Sequence, residues 1–428
     1  MSDTKPQSAK GDLFGHPTGL TFLFATEMWE RFSYYGMKSL LILYMVNHLF
    51  KAGTVENVAG YGILKRLLET VFGKLEAQPL ASLIYGLYGG LVYLTPVLGG
   101  LLADRAIGRR RAVLLGAILM MFGHFLMAFE SLFFLALSAL ILGSGAFKPN
   151  IVTQVGGLYS RDDDRRDRAY AIFYVGINVG AFLSPLICGS LADGFGWSFG
   201  FAAAGAGMLI SLVIYLFALP ALPADQLDER RSKEKSRAPR KKRIIIALIG
   251  LGSLQSLFWA VYEQTGNTVV LWFNDHTDRS IKLFFWQTQI PVTWILSLNP
   301  LLIFAFTPLI IALWGWQAKR SGEPSDVGKM ALGSALVGLS YLILSAVAWQ
   351  TGPVEKASWL WLVLFFVVLT VGELYVSPIG LAFFAKAAPA SMRSMLMGLW
   401  LTTSFVGNVL AGWLGSFWSS FAKSEFFC

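Results

Sequence analysis

Residues 221–243 read ALPADQLDERRSKEKSRAPRKKR, and they divide the chain in two. Nine of the fourteen residues from 230 to 243 are lysine or arginine, and no apolar period runs through them. The stretch therefore reads as a solvated basic linker, with binding to anionic lipid as the second reading. Both flanks are hydrophobic. The 428 residues are 55% hydrophobic and 14% charged, where soluble domains carry about a quarter charged residues. A mean hydropathy of +0.57 agrees. Runs of about 20 mostly apolar residues are candidate spans. They fall near 19–49, 82–103, 112–130, 132–157, 169–192 and 197–219 before the linker, and near 244–273, 290–316, 329–350, 357–386 and 394–419 after it. The fold class is an all-α, multi-pass membrane protein with an N-terminal half 1–220, a linker 221–243 and a C-terminal half 244–428.

Lysine and arginine orient it. With the N-terminus inside, the inside segments hold 24 basic residues and the outside segments eight. The N-terminus is expected in the cytoplasm and the chain in the cell (inner) membrane. The +9 charge is explained by this bias, so no nucleic-acid partner is expected. The polar stretch from Met1 to Thr18 lacks the core of a cleaved signal peptide. Cys188 and Cys428 suggest neither a disulfide framework nor a metal site, and four scattered histidines offer no metal-ligand spacing. In the longest outside loop, ILKRLLETVFGKL (63–75) is expected to form an amphipathic interfacial helix.

Ionisable residues inside spans point to function, because each costs about 2.5 kcal/mol or more at bilayer depth. Glu27, Glu30, Arg31, Tyr34 and Lys38 share one face of the first span. One arginine cannot neutralise two carboxylates. Lys148 lies late in span 4, Glu263 in span 7 and Glu373 in span 10. Depth along each span suggests two cross-half gate pairs for alternating access: Lys38–Glu263 on the outer side and Lys148–Glu373 on the inner side. Four carboxylates against three bases leave one net negative charge, which a proton relieves. A proton thus suffices as coupling ion; sodium usually needs several clustered oxygen ligands. Arg31 and Lys148 suit a carboxylate. Glu373 with Asn299 suits an ammonium, and Asn178 lies between, so the substrate reads as a zwitterion. Tyr34, Tyr35, Tyr93, Trp259 and Trp400 offer an amphipathic wall, though aromatics at helical spacing are as often packing. His124 reads as a packed, hydrogen-bonded histidine, and Glu130 as a solvated interfacial residue.

Six spans, a basic linker and a second block resemble the layout of the major facilitator superfamily, with two six-helix halves. The loop 99–111, GGLLADRAIGRRR, resembles its signature loop. Twelve spans are then expected, yet the chain stops at Ser424–Cys428 where a last helix would begin, so the twelfth helix is expected to be missing. Within that superfamily there is a close resemblance to the proton-dependent oligopeptide transporter family. It rests on Glu27-x-x-Glu30-Arg31-Phe32-x-Tyr34-Tyr35-Gly36, Tyr93-Leu94-Thr95-Pro96, Phe147-Lys148-Pro149-Asn150, Phe173-Tyr174-x-x-Ile177-Asn178, Phe258-Trp259 with Glu263-Gln264, Asn299-Pro300 and Gly372-Glu373-Leu374-Tyr375-x-Ser377-Pro378, in order.

The resemblance implies symport of di- and tripeptides with protons and no cofactor. It assigns proton coupling to Glu27 and Glu30 with Glu263. It assigns the peptide carboxylate to Arg31 and Lys148, the amino terminus to Glu373, Asn299 and Asn178, and the outer gate to Lys38 and Glu263. Tyr34, Tyr35, Tyr93, Trp259, Ser377 and Trp400 complete the expected binding residues. The chain departs from the pattern in two ways besides the expected missing twelfth helix. Its linker is too short for the two extra helices of many bacterial members, and Gly86 follows Tyr85 where mammalian members place a histidine. The other readings are a carrier of nitrate or an amino-acid derivative, or a non-transporting receptor. No nucleophile–base or metal constellation supports an enzyme. The expected partners are peptide and lipid bilayer, and the expected state is a monomer.

Overall fold

The structure is a computed structural model and describes residues 12–13, 15–160, 163–223, 242–283, 286–320, 322–387 and 393–428. Each apolar run of the sequence is helical, one of them in two pieces. Before the linker these are α1 (Thr18–Tyr44), the short α2 (Tyr61–Phe72), α3 (Ala77–Leu102), α4 (Arg109–Leu126), α5 (Phe133–Gly157), α6 (Arg165–Phe195) and α7 (Trp197–Ala218). After it come α8 (Lys242–Tyr262), the short α9 (Thr268–His276), α10 (Leu298–Arg320), α11 (Asp326–Thr351), α12 (Leu360–Ala387), α13 (Arg393–Gly415) and the terminal turn α14 (Lys423–Phe427). Seven helical segments among the described residues are long and apolar enough to cross a membrane on composition alone. α1 is not among them, because Glu27, Glu30, Arg31 and Lys38 lower its hydropathy. Most of the expected linker, 224–241, lies outside the described residues.

Lipid tails give no hydrophobic drive for helices to meet, so close approach falls to small residues. α4 lies on α5 with Gly116 against the Gly143 carbonyl, and α11 on α12 with Gly333 against the Gly372 carbonyl. α1 packs against α6 and α7. The tightest turn joins α6 to α7 through Gly196, whose φ of +102° a side chain would strain.

Span 7 differs from the continuous helix expected over 244–273. It breaks after Tyr262 into a 3-10 turn, Glu263–Gly266, and resumes as α9. The break is tolerated because side chains meet the freed backbone polarity. Gln264 Nε2 donates to the Ala260 carbonyl, freed at the break, at 3.3 Å and also to the Ala411 carbonyl of α13 at 2.8 Å. The loop that follows carries an antiparallel hairpin, Ser280–Leu283/Trp286–Gln289, not expected from its residues. The amphipathic helix of the outer loop is present as α2, presenting Ile63, Leu67 and Val71 outward at 70%, 62% and 73% exposure.

Hydrogen bonds joining helices before the linker to those after it cluster at the end of the bundle remote from the N-terminus, the far face. Gln78 of α3 donates to the Gly415 carbonyl at 2.9 Å, and Ser82 donates to Asn267 at 2.9 Å. On the opposite side of the bundle Thr293 donates to the Pro185 carbonyl at 2.9 Å and Ser297 to that of Phe182 at 2.8 Å. Two helix seams, α3 with α13 and α6 with the 3-10 turn Val292–Ser297, thus close the far face.

Candidate functional site

Helical spacing puts Glu27, Glu30 and Arg31 together, and packing against α6 and α7 buries them at 3%, 0% and 6% exposure. The Arg31 guanidinium divides itself between both acids. Nη2 donates to Glu30 Oε1 at 2.6 Å, Nε makes a second, shorter bond to Glu30 Oε2, and Nε stands 3.2 Å from Glu27 Oε1. Glu27 Oε2 is buried with no hydrogen-bond partner among the described residues. One cation holds two carboxylates away from water, a charge imbalance that a bound proton removes. Arg31 turns Nε and Nη2 to these acids, so a substrate carboxylate that takes both of those nitrogens would displace Glu30.

Two turns on, Lys38 Nζ meets Glu263 Oε2 at 2.7 Å. The 3-10 turn presents this carboxylate to α1 across the two blocks of helices. Its second oxygen lies 3.4 Å from Asn408 Nδ2 of α13.

The second expected pair, Lys148–Glu373, is not formed. Glu373 accepts from Asn299 Nδ2 at 2.7 Å and lies beside the Tyr262 hydroxyl, whose proton is given to Asn299 Oδ1 at 3.3 Å. Lys148 instead places Nζ over the rings of Tyr34, at 4.4 Å, and Tyr93, at 5.2 Å. The seams that hold the blocks together at the far face do not reach these residues, and each charge settles on its own side. Tyr34 is enclosed by cations: Arg31 Cζ is 5.1 Å and Lys38 Nζ 5.9 Å from its ring.

Between these groups lies a cavity of about 210 Å³. Tyr35, Tyr93, Asn178, Trp259, Asn299 and Glu373 line it, with Lys38 and Glu263 at its end. Arg31, Tyr34, Lys148 and Ser377 are not in its wall; Arg31 is held by Glu27 and Glu30, and Lys148 lies over the Tyr34 ring. The Trp400 side chain lies outside the described residues. Sequence reasoning missed Tyr85, Tyr174 and Tyr262, which also line the cavity, and Asn408. Local spacing could have found two of them. Tyr262 adjoins Glu263, and Tyr174 sits one turn before Asn178, whose amide donates to its carbonyl at 3.0 Å.

Two bland readings also change. His124 is fully buried, but neither ring nitrogen has a hydrogen-bond partner among the described residues. Glu130 is paired rather than merely solvated, meeting His48 Nε2 at 2.5 Å.

Known proteins resemble this chain in sequence and in fold. The POT family model matches residues 110–238 and 226–426. A di-/tripeptide transporter of Lactococcus lactis subsp. cremoris is 32% identical, over 97% of this chain and 92% of that protein. The chain belongs to the POT family. The peptide transporter YePEPT of Yersinia enterocolitica is 34% identical, over 94% of this chain and 88% of its own length. A crystal structure of a POT family transporter in complex with 5-aminolevulinic acid superposes with a TM-score of 0.83 at 29% identity, covering 97% of this chain and 93% of that one. The fold is therefore the major facilitator fold of POT transporters expected from the sequence.

Proposed function

We propose that this POT family member is a proton-coupled symporter of di- and tripeptides, a transporter and not an enzyme. The observation that supports it most is the polarity of one cavity. Glu373, oriented by Asn299 and Tyr262, offers an ammonium site from α12, while α1 holds the Glu27–Glu30–Arg31 cluster and Lys148 stands behind Tyr34. A zwitterion with a carboxylate at one end and an ammonium at the other fits that polarity. The neighbour crystallised with 5-aminolevulinic acid, which has both groups, is consistent with it. At about 210 Å³ the cavity is near the small end of ligand pockets, which suits a short peptide better than a long one.

The cycle follows from competition for Arg31. When the peptide carboxylate reaches Arg31 and Lys148, Glu30 and Glu27 lose their cation and take up a proton. When the peptide leaves, Arg31 returns to them and the proton is expelled. Lys38–Glu263 serves as the far-side gate, formed here. Lys148–Glu373 serves as the gate at the N-terminal face and closes when that face does. Residues 1–220 and 244–428 act as the two rocking units. Positive-inside asymmetry puts the N-terminal face in the cytoplasm of the cell membrane and makes this state inward-open. The protein acts as a monomer with no cofactor, protons being the coupling ion. Glu373 as an amine receptor disfavours a carrier of simple anions.

In liposomes with an inward proton gradient, labelled dialanine is expected to accumulate. Glu30→Gln is expected to abolish accumulation while dialanine exchange continues. Undiminished gradient-driven accumulation in Glu30→Gln would remove the coupling role.

A further inference from the structure

The far face is held shut by two different kinds of contact, an ion pair and a close-packed helix seam, and one residue touches both. Asn408 lies on α13 at 1% exposure. Its Nδ2 donates to the Ser404 carbonyl at 2.9 Å and stands 3.4 Å from Glu263 Oε1, the carboxylate oxygen that Lys38 does not hold. Its Oδ1 is buried without a hydrogen-bond partner and faces α3, where a Cβ on Gly89 would stand 2.2 Å from it. A glycine carries a hydrogen in that direction, so the carbonyl of the amide is aimed at a Cα–H of Gly89, a weak contact available only when α3 and α13 are closed on each other. The amide orientation is fixed by its surroundings. Turned over, it would set its oxygen against the Glu263 carboxylate and the Ser404 carbonyl. The backbone of the same residue joins the seam as well, since its carbonyl oxygen would meet a Cβ on Gly86 at 2.5 Å.

We propose that Asn408 is a positioning residue that links the two closures, so that loss of the Lys38–Glu263 pair loosens the α3–α13 seam through its amide. This rests on reading Lys38–Glu263 as the far-side gate. Opening then becomes one event. When Glu263 is released, the Asn408 amide loses its acceptor and turns, and the oxygen that lay on Gly89 leaves the seam.

The seam can be read by cross-linking. Ser419 Oγ donates to Gln78 Oε1 at 2.8 Å across the two blocks, so Gln78→Cys with Ser419→Cys and a short bifunctional thiol reagent reports far-face closure. Cys428 is exposed and is replaced by serine, while Cys188 is buried and stays. The full-length protein in liposomes is compared with and without Lys38→Gln, in three backgrounds: the parent, Asn408→Ala and Gly89→Ala. Gly89→Ala keeps Asn408 but drives its Oδ1 from the seam, so it serves should Asn408→Ala fold poorly. In the parent, Lys38→Gln is expected to slow cross-linking about tenfold, the size of coupling seen between groups in contact. In Asn408→Ala and Gly89→Ala the same change is expected to have no further effect. Equal slowing by Lys38→Gln in all three backgrounds would overturn the link and leave the gate standing. No slowing in the parent would overturn gate and link together. Dialanine uptake in the parent, measured in parallel, tests the transport reading independently of either.

Discussion

Gly86→Ala would act on the far-side seam without touching any charge. A Cβ at this position would stand 2.5 Å from the Asn408 carbonyl oxygen and 2.6 Å from Gly412 Cα and N, all backbone atoms that no rotamer change can clear. Ordinary contact begins at 3.4 Å, so α3 and α13 have to part by about 0.9 Å to restore it. Overpacking of this kind costs about 1–3 kcal/mol. Only the far-closed state bears the strain, so the equilibrium shifts toward the far-open state by about 5- to 150-fold. The Gln78→Cys/Ser419→Cys cross-link is expected to slow by that factor, and gradient-driven dialanine uptake to fall with it because return to the inward-open state becomes rare. Gly315→Ala is the control, since a Cβ there meets nothing within 4 Å. Unchanged cross-linking and uptake in Gly86→Ala would show that the seam does not set the far-face equilibrium, and the reasoning would fail.

Two further predictions concern charge. Glu263→Gln leaves Lys38 at 12% side-chain exposure without its partner, and breaking such a pair costs about 3–5 kcal/mol. Uptake should fall at least tenfold, whereas the Lys38→Gln, Glu263→Gln double variant should recover most of it because neither charge is then stranded; a double variant no better than the single one would count against the pair. Glu373→Gln removes the charge beside Asn299 and Tyr262, so dialanine should bind about tenfold more weakly or worse, as expected on losing a charged hydrogen bond. N-acetyl-dialanine, which has no ammonium, should compete equally well with both proteins, and an equal loss for the two ligands would show that Glu373 is not the amine receptor.

α1 shows how far the sequence reaches. The face carrying Glu27, Glu30, Arg31, Tyr34 and Lys38 is fixed by 3.6-residue periodicity, and lipid's hostility to charge fixes that this face points inward. The i,i+4 partner Glu27–Arg31 follows from the same rule and is present at 3.2 Å. Even the contact of Lys38 with Glu263, 225 residues apart, was legible, because matching depth along two symmetry-related spans needs only the direction of each. The family motifs then gave the cavity wall at Tyr35, Tyr93, Asn178, Trp259, Asn299 and Glu373.

Tertiary packing decided what spacing cannot encode. Which of the two expected cross-block pairs is formed depends on how the two blocks of helices lean on each other. Lys148 and Glu373 were therefore paired by depth, yet in this state they settle on Tyr34 and Asn299. The break in span 7 escaped the hydropathy pattern because the polar side chains it carries, Gln264 and Asn267, find partners on α13 and α3, contacts made only once the helices have assembled. Asn408 was invisible for the same reason: one asparagine in an apolar run has no local signal. Charge and period determined which face of each helix would work; only the assembled bundle decided which partner each working group holds.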